Sequence, residues 1–390
     1  MEMTIEDDYT EFRDAVAVIC KDFPGKYWRD LEDQPSDGSY PTDFVDALTQ
    51  SGFLAALIPE SYGGSGLPIR AGAVILEAIH ESGCSAAACH AQMYTMGTIL
   101  RHGSDEQKQK YLPQIAKGSL RLQAFGVTEP NTGSDTTQLK TKAERDGNGY
   151  VINGQKVWTS RAAHSDLMLL LARTTPPEEC EKRTDGLSCF LIDLREVTGN
   201  GCQIKPLDAM INHNTTEVFF DNMHIPGDAL IGQEGKGFRY ILDGMNAERV
   251  LIAGESLGDG KFFIDKGVSY ANERVVFDRP IGQNQGIQFP LAKSWAELQG
   301  ADIMARKAAA LFDSGKPCGA EANMAKYQAA KAAWEAAEAC LMTHGGFGFA
   351  REYDVERKWR EARLYRTAPV SENMILAYIG QNILGMPRSY

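Results

Sequence analysis

The stretch Val127-Thr128-Glu129-Pro130-Asn131-Thr132-Gly133-Ser134-Asp135 stands where the chain changes character. Before it, from Tyr9 to about Arg121, apolar residues recur at the spacing of helices. Ser104 is predicted to be an N-cap, because its hydroxyl can accept a hydrogen bond from a free backbone N–H at a helix start. The nine residues therefore end a helical N-terminal region.

After this stretch, the chain consists of short apolar runs with strand character, up to about Ile225. The clearest runs are residues 150–152, 167–171, 187–194 and 217–220. The pair Asn153-Gly154 predicts a hairpin turn, since both residues tolerate a positive φ. Several short strands with loop signals between them predict an antiparallel barrel or sandwich.

From Gly237 onward the helical spacing returns, with loop signals at 280–282, 314–317 and 345–348. The fold class is therefore predicted as α+β with three domains. These are a helical domain at 1–123, a central antiparallel β barrel or sandwich at 124–233, and a C-terminal four-helix bundle at 234–390. Strands do not alternate with helices, and the sequence has no G-x-G-x-x-G or P-loop motif. Both observations argue against a doubly wound nucleotide fold.

The 390 residues carry a formal net charge of −12, with 43% hydrophobic and 24% charged residues. This composition is typical of globular proteins that bury a sizeable core. A surface of this charge repels phosphate backbones and anionic lipid headgroups. We therefore expect no nucleic-acid partner and no membrane partner.

The 8 cysteines are scattered, without a C-x-x-C pair and without histidines at metal-ligand spacing. They are expected to be reduced and packed as small hydrophobic side chains, and no metal site is predicted. Residues Met1 to Asp8 are acidic, which is the wrong charge for a secretory or mitochondrial targeting sequence. No apolar run approaches the ~20 residues that span a bilayer. The predicted location is the cytoplasm.

Motifs along the chain carry a resemblance to a known family. Residues 127–135 match the pattern V-T-E-P-x-x-G-S-D, and residues 345–363 match a C-terminal pattern that begins with Gly-Gly-x-Gly. Between them lie Asn153-Gly154-x-Lys156-x-Trp158 and Glu273-Arg274-x-x-Phe277-x-x-Pro280-Ile281-x-x-x-Gln285. In order and spacing, the chain resembles the acyl-CoA dehydrogenase flavoprotein family over nearly its whole length.

The resemblance implies an acyl-CoA substrate and an FAD cofactor that lies between the β domain and the C-terminal helical domain. It also implies a homotetramer built as a dimer of dimers, with an electron-transfer flavoprotein as the electron acceptor. The metabolism implied is that of fatty or branched-chain acyl-CoA thioesters.

The resemblance also implies roles for single residues. Thr128 and Ser160 would offer hydroxyls to the isoalloxazine ring, and Trp158 would pack on it. Arg274 would reach the FAD pyrophosphate of a neighbouring subunit, since that anion needs a guanidinium. Taken singly, Trp158 fits a core aromatic and Arg274 a solvated helix charge; only their joint arrangement favours the cofactor. The residues predicted to contact FAD are Phe125, Val127, Thr128, Gly133, Ser134, Trp158, Ser160, Arg274, Phe277, Gln285, Met342, Gly345, Gly346, Ser371 and Asn373.

Acyl-CoA dehydrogenation removes a proton from Cα of the thioester while a hydride leaves Cβ, so a carboxylate base must face Cα in a dry pocket. In most of the family this Glu follows a Tyr just after the C-terminal motif, but here Pro369 stands at that position. A minority that includes isovaleryl-CoA dehydrogenase has its Glu on the first helix of the C-terminal domain, directly before an Arg. Asn246-Ala247-Glu248-Arg249 matches this arrangement, so Glu248 is the predicted catalytic base.

Helical spacing supports Glu248 independently. It lies on one helical face with three apolar residues: Ile241, Met245 and Ile252. A carboxylate within an apolar stripe is expected to have a raised pKa, because burial disfavours its charged form. The alternative is an ordinary surface Glu paired with a Lys or an Arg. The residues predicted to contact the substrate are Ser134, Asn246 and Arg249.

Proline at position 369 has a second consequence, because proline has no backbone N–H. In the family the thioester oxygen accepts a hydrogen bond from the N–H at this position, and such a donor is worth about 3 kcal/mol in other oxyanion holes. Two alternatives stay open: the N–H of Val370 replaces the lost donor, or a ribityl hydroxyl of the flavin acts alone.

The function predicted is FAD-dependent α,β-dehydrogenation of an acyl-CoA thioester to trans-2-enoyl-CoA. A base on the helix changes the space around Cα and Cβ, which favours a branched or cyclic acyl chain. One alternative is a flavin-dependent oxidase or monooxygenase of the same fold. Another is a non-catalytic flavoprotein that resembles the DNA-associated branch of the family, against which the net charge of −12 argues.

Overall fold

The computed structural model describes residues 9–36 and 38–388, so the acidic segment Met1 to Asp8 lies outside the described residues. The order of elements is helical, then β, then helical, which confirms the predicted fold class. The chain divides into two compact units. Unit 1 comprises Met1–Asp30, Pro68–Ala86 and Asn246–Tyr390, and unit 2 comprises Leu31–Leu67 and Ala87–Met245. The domain boundaries predicted from the sequence, near residues 123 and 233, follow changes in the type of secondary structure and differ from the limits of these units. They stay a prediction.

The N-terminal region contains α1 (Thr10–Cys20), α2 (Gly25–Glu32), α3 (Thr42–Gln50), α4 (Ile69–Glu81), α5 (Ala87–His102) and α6 (Asp105–Ala116). The predicted N-cap is confirmed at α6, where Ser104 Oγ accepts a hydrogen bond from Gln107 N–H at 3.1 Å. In return, Gln107 Oε1 accepts from Ser104 N–H at 3.0 Å. This reciprocal capping box fixes the start of α6.

The central region contains β1 (Leu122–Gly126), β2 (Lys142–Asp146), β3 (Gly149–Ser160), β4 (Leu167–Arg173), β5 (Leu187–Asp193), α7 (Leu194–Val197), β6 (Cys202–Pro206) and β7 (Thr215–Pro226). The strands form one sheet in the order β1-β4-β2-β3-β7-β6, with β5 beside β4. Most pairs are antiparallel as predicted, whereas β4 runs parallel to β1 and β2. The sheet is therefore mixed.

Strand β4 is buried along its whole length. Met168 and Leu170 belong to a core cluster that includes residues of β3 and β7. Leu169 and Leu171 belong to a second cluster that includes residues of α5 and α6. Because successive side chains of a strand point to opposite faces, one continuous apolar run fills both cores.

The predicted hairpin at Asn153-Gly154 is wrong, because β3 runs without interruption through both residues. The turn lies at residues 147–148, between β2 and β3. At Gly154 the register of β3 against β7 shifts instead. Gly154 has a φ of +152°, and a Cβ added there would lie 2.6 Å from Cα of Thr141. Glycine is needed for this close backbone approach and not for a reversal of the chain.

The C-terminal region contains α8 (Gly237–Glu273), β8 (Val275–Val276), β9 (Arg279–Pro280), α9 (Gln285–Asp313), α10 (Gly319–His344), α11 (Val355–Leu364) and α12 (Glu372–Tyr378). The predicted loops separate α8, α9, α10 and the two short final helices. Among the described helices, none is long and apolar enough to span a bilayer.

A buried polar network surrounds Lys358 of α11 in unit 1. Its Nζ lies 2.6 Å from Asp259 Oδ1, 2.6 Å from Glu361 Oε2 and 3.0 Å from His80 Nδ1. Burial by itself lowers the pKa of Lys358, but the two carboxylates raise it above its ordinary value. The ammonium therefore compensates two buried negative charges.

Replacing Lys358 with Met is expected to lower the free energy of unfolding by about 3 to 5 kcal/mol, because Asp259 and Glu361 would stay buried without their cation. Urea denaturation followed by circular dichroism measures this change. The matched control is Lys26→Met in the same unit, where Lys26 pairs with Asp30 in an exposed ion pair. That control should cost less than about 1 kcal/mol. Equal costs for the two variants would contradict the role of Lys358.

Candidate functional site

The segment at residues 127–135 forms a tight turn held by its own backbone. Glu129 N–H donates to Thr132 C=O at 3.1 Å, and Thr132 N–H donates to Glu129 C=O at 3.0 Å. The buried carboxylate of Glu129 accepts hydrogen bonds from Lys140 N–H at 2.6 Å and from Thr141 N–H at 2.8 Å. These contacts fix the turn against the segment that leads into β2.

The same carboxylate pairs with Lys156 of β3, which is fully buried. Its Nζ lies 2.8 Å from Glu129 Oε1 and donates to Val127 C=O at 3.0 Å. Burial lowers the pKa of Lys156 to about 8, although Glu129 opposes this shift. Burial raises the pKa of Glu129, but Lys156 and the backbone donors outweigh it and lower that pKa. Neither residue was among the predicted site residues, although both stand within the family motifs.

Trp158 lies two residues after Lys156, at an irregularity in the pairing of β3 with β7. Its φ of 60° is in the left-handed region, which costs a residue with a side chain on the order of 1 kcal/mol or more. Its side chain is 59% exposed. This exposure excludes a core aromatic, and a strained backbone that presents an open indole is typical of a binding surface.

Two predicted hydroxyl residues lie near Trp158 along the chain or the sheet. Thr128 C=O accepts a hydrogen bond from Val157 N–H at 2.9 Å, which joins the turn to β3 beside the tryptophan. Ser160 is half-buried further along the same strand, with its Oγ 3.5 Å from Thr215 Oγ1. Unit 2 therefore brings Thr128, Trp158 and Ser160 to one region.

The other predicted residues around the turn differ in exposure. Phe125 is half-buried and meets Tyr94 edge-on, with ring centroids 5.4 Å apart. Val127 packs at the margin of the core cluster that includes α5 and α6. Gly133 and Ser134 are exposed, and a Cβ added at Gly133 would meet no atom within 4 Å. This edge of the turn is open to a ligand.

Unit 1 contains a cleft of about 530 Å³ near the C-terminal ends of α8 and α10. Arg274, Gly345, Gly346 and Phe347 line it, and the guanidinium of Arg274 lies 5.8 Å from the centroid of the Phe347 ring. A Cβ added at either glycine would meet no atom within 4 Å. Open backbone and a guanidinium in one concave site suit an anionic group.

The remaining residues predicted to contact FAD lie outside the lining of this cleft: Phe277, Gln285, Met342, Ser371 and Asn373. Phe277 is 93% exposed and Met342 is 74% exposed. Ser371 caps α12, where its Oγ accepts a hydrogen bond from Met374 N–H at 3.4 Å. Contact of these residues with FAD stays a prediction.

Glu248 lies on α8 and is only 5% exposed, which excludes an ordinary solvated Glu. Arg249 Nη1 donates to Asn246 Oδ1 at 3.1 Å, so the two predicted substrate contacts beside Glu248 are held together. Burial lowers the pKa of Arg249, and the charge of Glu248 opposes this shift. The other members of the predicted stripe are buried or half-buried: Ile241, Met245 and Ile252.

The segment that contains Pro369 is anchored by a lysine that was not among the predicted site residues. Pro369 is exposed, but Val370 is buried and its C=O accepts a hydrogen bond from Lys326 Nζ at 2.6 Å. Burial lowers the pKa of Lys326 to about 8, while Glu248 acts to raise it and Arg249 to lower it. A buried cation therefore interacts with Glu248.

Replacing Glu129 with Gln is expected to lower the free energy of unfolding by about 3 kcal/mol, because Lys156 would stay buried without its counter-charge. The double variant Glu129→Gln/Lys156→Met removes both charges and should recover part of this loss in chemical denaturation. The control Glu144→Gln changes an exposed carboxylate on β2 and should alter stability by less than about 0.5 kcal/mol. A double variant less stable than Glu129→Gln would show that the ion pair is not the source of the loss.

Comparisons with known proteins identify this architecture. Models of the N-terminal, middle and C-terminal domains of acyl-CoA dehydrogenases match residues 6–119, 124–223 and 235–384. The chain is 35% identical over 381 residues to acyl-CoA dehydrogenase FadE12 of Mycobacterium tuberculosis (strain ATCC 25618 / H37Rv), which covers 97% of this chain and 96% of that protein. It is 33% identical over 350 residues to cyclohex-1-ene-1-carbonyl-CoA dehydrogenase of Syntrophus aciditrophicus (strain SB), covering 89% and 83%.

A solved structure shares the fold over the whole chain. The glutaryl-coenzyme A dehydrogenase of a glutaryl-CoA complex matches with a TM-score of 0.90 and 28% identity, covering 100% of this chain and 98% of that chain. Sequence matches to all the domains and this structural match agree with the motifs found in the sequence. The chain belongs to the acyl-CoA dehydrogenase family and is an oxidoreductase with FAD as its cofactor.

Proposed function

We propose that this enzyme converts an acyl-CoA thioester to trans-2-enoyl-CoA, with Glu248 as the base that removes the α-proton. The observation that supports this assignment most is a buried carboxylate at Glu248 in a chain that has proline at the usual base position. FAD, when bound, supplies the acceptor for the β-hydride. Glu248 supplies the complementary half of the reaction, since a carboxylate oxygen shielded from water can accept the α-proton.

The residues present in each unit fit the cofactor. In unit 2, the open indole of Trp158 offers a flat apolar surface, and the hydroxyls of Thr128 and Ser160 offer hydrogen bonds to a polar ring edge. In unit 1, Arg274 and the open backbone at Gly345 and Gly346 suit a pyrophosphate. We propose that these residues hold the FAD.

Arg249 and Asn246 are proposed to act on the substrate beside the base. Their hydrogen bond fixes the guanidinium of Arg249, whose Nε is buried and has no hydrogen-bond partner among the described residues. A buried donor without a partner is costly, so a polar group of the substrate would satisfy it. Ser134, exposed on the open edge of the turn, is the third proposed contact.

The proposed acyl group is branched or cyclic. Most of the family has a Glu side chain where this chain has Pro369, so the side chain beside the acyl group differs in size and charge at this position. The proposed base, Glu248, comes instead from α8. The name of the Syntrophus aciditrophicus relative contains a cyclic acyl group, which agrees with this proposal. An electron-transfer flavoprotein is the proposed acceptor of the electrons.

The proposed assembly is a homotetramer built as a dimer of dimers. Several large apolar side chains of unit 1 are open in the single chain, among them Phe277 at 93%, Phe349 at 72% and Phe289 at 60% exposure. Large apolar side chains that are this exposed in a single chain are candidates for protein–protein contact. A second chain packed here would also explain how the exposed Arg274 and Phe277 reach a cofactor.

Anaerobic titration with a panel of acyl-CoA thioesters, followed by flavin absorbance, tests the reaction and the substrate class. We expect bleaching, with branched or cyclic thioesters more effective than straight chains. Glu248→Gln should slow bleaching by at least about 100-fold, because an amide cannot accept the α-proton. The control Asp265→Asn, an exposed carboxylate on the same helix, should bleach at the wild-type rate.

Bleaching of the Glu248→Gln variant at the wild-type rate would show that another group is the base. Failure of every thioester to bleach the wild-type flavin would contradict the dehydrogenation itself. Rapid oxygen consumption without an added acceptor would favour the oxidase alternative instead.

A further inference from the structure

Lys326 of α10 is fully buried and interacts with two parts of the proposed site. Its Nζ donates to the C=O of Val370 at 2.6 Å, directly after the position where most of the family has its base. Ile252 of α8 and Ala330 of α10 belong to one buried cluster. Glu248 and Lys326 each precede these residues by one helical turn, and their opposite charges interact. The ammonium of Lys326 therefore anchors the segment in which Pro369 stands at the usual base position. It also acts on the carboxylate of Glu248, the proposed base.

Three charged groups interact with Lys326: Glu248 and Arg249 on α8, and Glu372 on α12. Arg249 in turn interacts with Glu248, with Tyr378 of α12 and with Cys318 before α10. Glu372 is already paired, since Arg366 donates to its two carboxylate oxygens at 2.7 and 2.8 Å. Glu372 therefore cancels little of the positive charge of Lys326.

The partner of the Lys326 hydrogen bond matters as well. Val370 C=O is uncharged, so this hydrogen bond satisfies the ammonium without neutralising it. Pro369 contributes no carboxylate to this segment that could pair with the lysine. The positive charge of Lys326 thus remains available to Glu248.

We propose that Lys326 is a positioning residue of the dehydrogenase, which keeps Glu248 in the carboxylate form and anchors the Pro369 segment through Val370. The inference rests on the proposed role of Glu248 as base. A buried carboxyl group loses its proton near neutral pH only if enough positive charge lies close to it, and only the carboxylate form can accept the α-proton. Lys326 retains its own proton at neutral pH, because its pKa is about 8.

The sign of the pH effect follows from this arrangement. An opposite charge close to a carboxyl group lowers the carboxyl pKa by about 1 to 3 units. Removing the charge of Lys326 therefore raises the pKa of Glu248. The rate of flavin reduction rises with pH as the base loses its proton, so this acidic limb must move to higher pH.

Two variants separate the charge from the hydrogen bond. Lys326→Gln removes the charge and keeps an N–H donor for Val370 C=O, whereas Lys326→Met removes both. We expect both variants to shift the acidic limb of kcat/KM for flavin reduction upward by about 1 to 3 pH units, with full activity recovered above the shifted limb. Lys326→Gln alone suffices if Lys326→Met does not fold.

The matched control is Lys331→Gln on the same helix. Lys331 makes an ion pair with Glu335 at 2.7 Å and is 40% exposed, so its loss should leave the acidic limb in place. Thermal melting of the holoenzymes compares the stability of all variants at one pH.

If the acidic limb of Lys326→Gln stays at its wild-type position, the proposal is overturned. A uniformly lower rate in Lys326→Met would then leave Lys326 as a structural anchor only. An equal shift in Lys331→Gln would also overturn it, because a general charge effect would then explain the result. Failure of the base assignment is distinguishable: in that case Glu248→Gln itself reduces flavin at the wild-type rate.

Discussion

A charge that is taken out of water must be matched by an opposite charge or by hydrogen bonds, and this constraint shapes both units of the enzyme. In unit 2, the ammonium of Lys156 is buried against Glu129, which also accepts hydrogen bonds from two backbone N–H groups. These contacts hold the turn at residues 127–135 in one position on the sheet. In unit 1, Lys358 joins α11 to α8 through Asp259 and to α4 through His80. Apolar packing supplies the drive to fold, whereas these pairings select which segments meet.

The same constraint bears on where a general base can stand. A base on an exposed loop keeps its charge through water, but a base on the buried face of a helix needs a cation in the protein. Glu248, the proposed base, is in the second situation, and its charge interacts with the neighbouring Arg249 and with the buried Lys326 of α10. In this proposal, a base on α8 involves at least two other residues, and a substitution at position 369 alone does not describe the change.

Much of the fold was predictable from the sequence, because motif order and spacing are properties of the chain itself. The burial of Glu248 followed from helical spacing. The hairpin predicted at Asn153-Gly154 did not form there, because the same pair of residues also fits a strand in which glycine allows a close approach of a neighbouring backbone. The buried lysines were missed because a lysine is usually read as solvated. The same spacing rule indicates Lys326, since it shares a helical face with Ala330, Ala333 and Ala337, which are buried. The pairing of Lys156 with Glu129 depends on contacts between distant segments, which no local pattern contains.

The net charge of −12 repels FAD and CoA at long range, because both are themselves anionic. The distance over which each charge acts determines its effect on a bound ligand. Charges on the open surface are screened over about 10 Å at moderate salt, so most of the excess negative charge acts weakly on a ligand in a cleft. Arg274 and the open backbone at Gly345 and Gly346 line one concave site, where the charge of a bound anion would be screened much less. Arg249 and Lys326 lie inside unit 1, where burial strengthens the field of each charge. In the proposed mechanism, these local cations therefore act on binding and proton transfer, and the acidic exterior acts on the approach of other molecules.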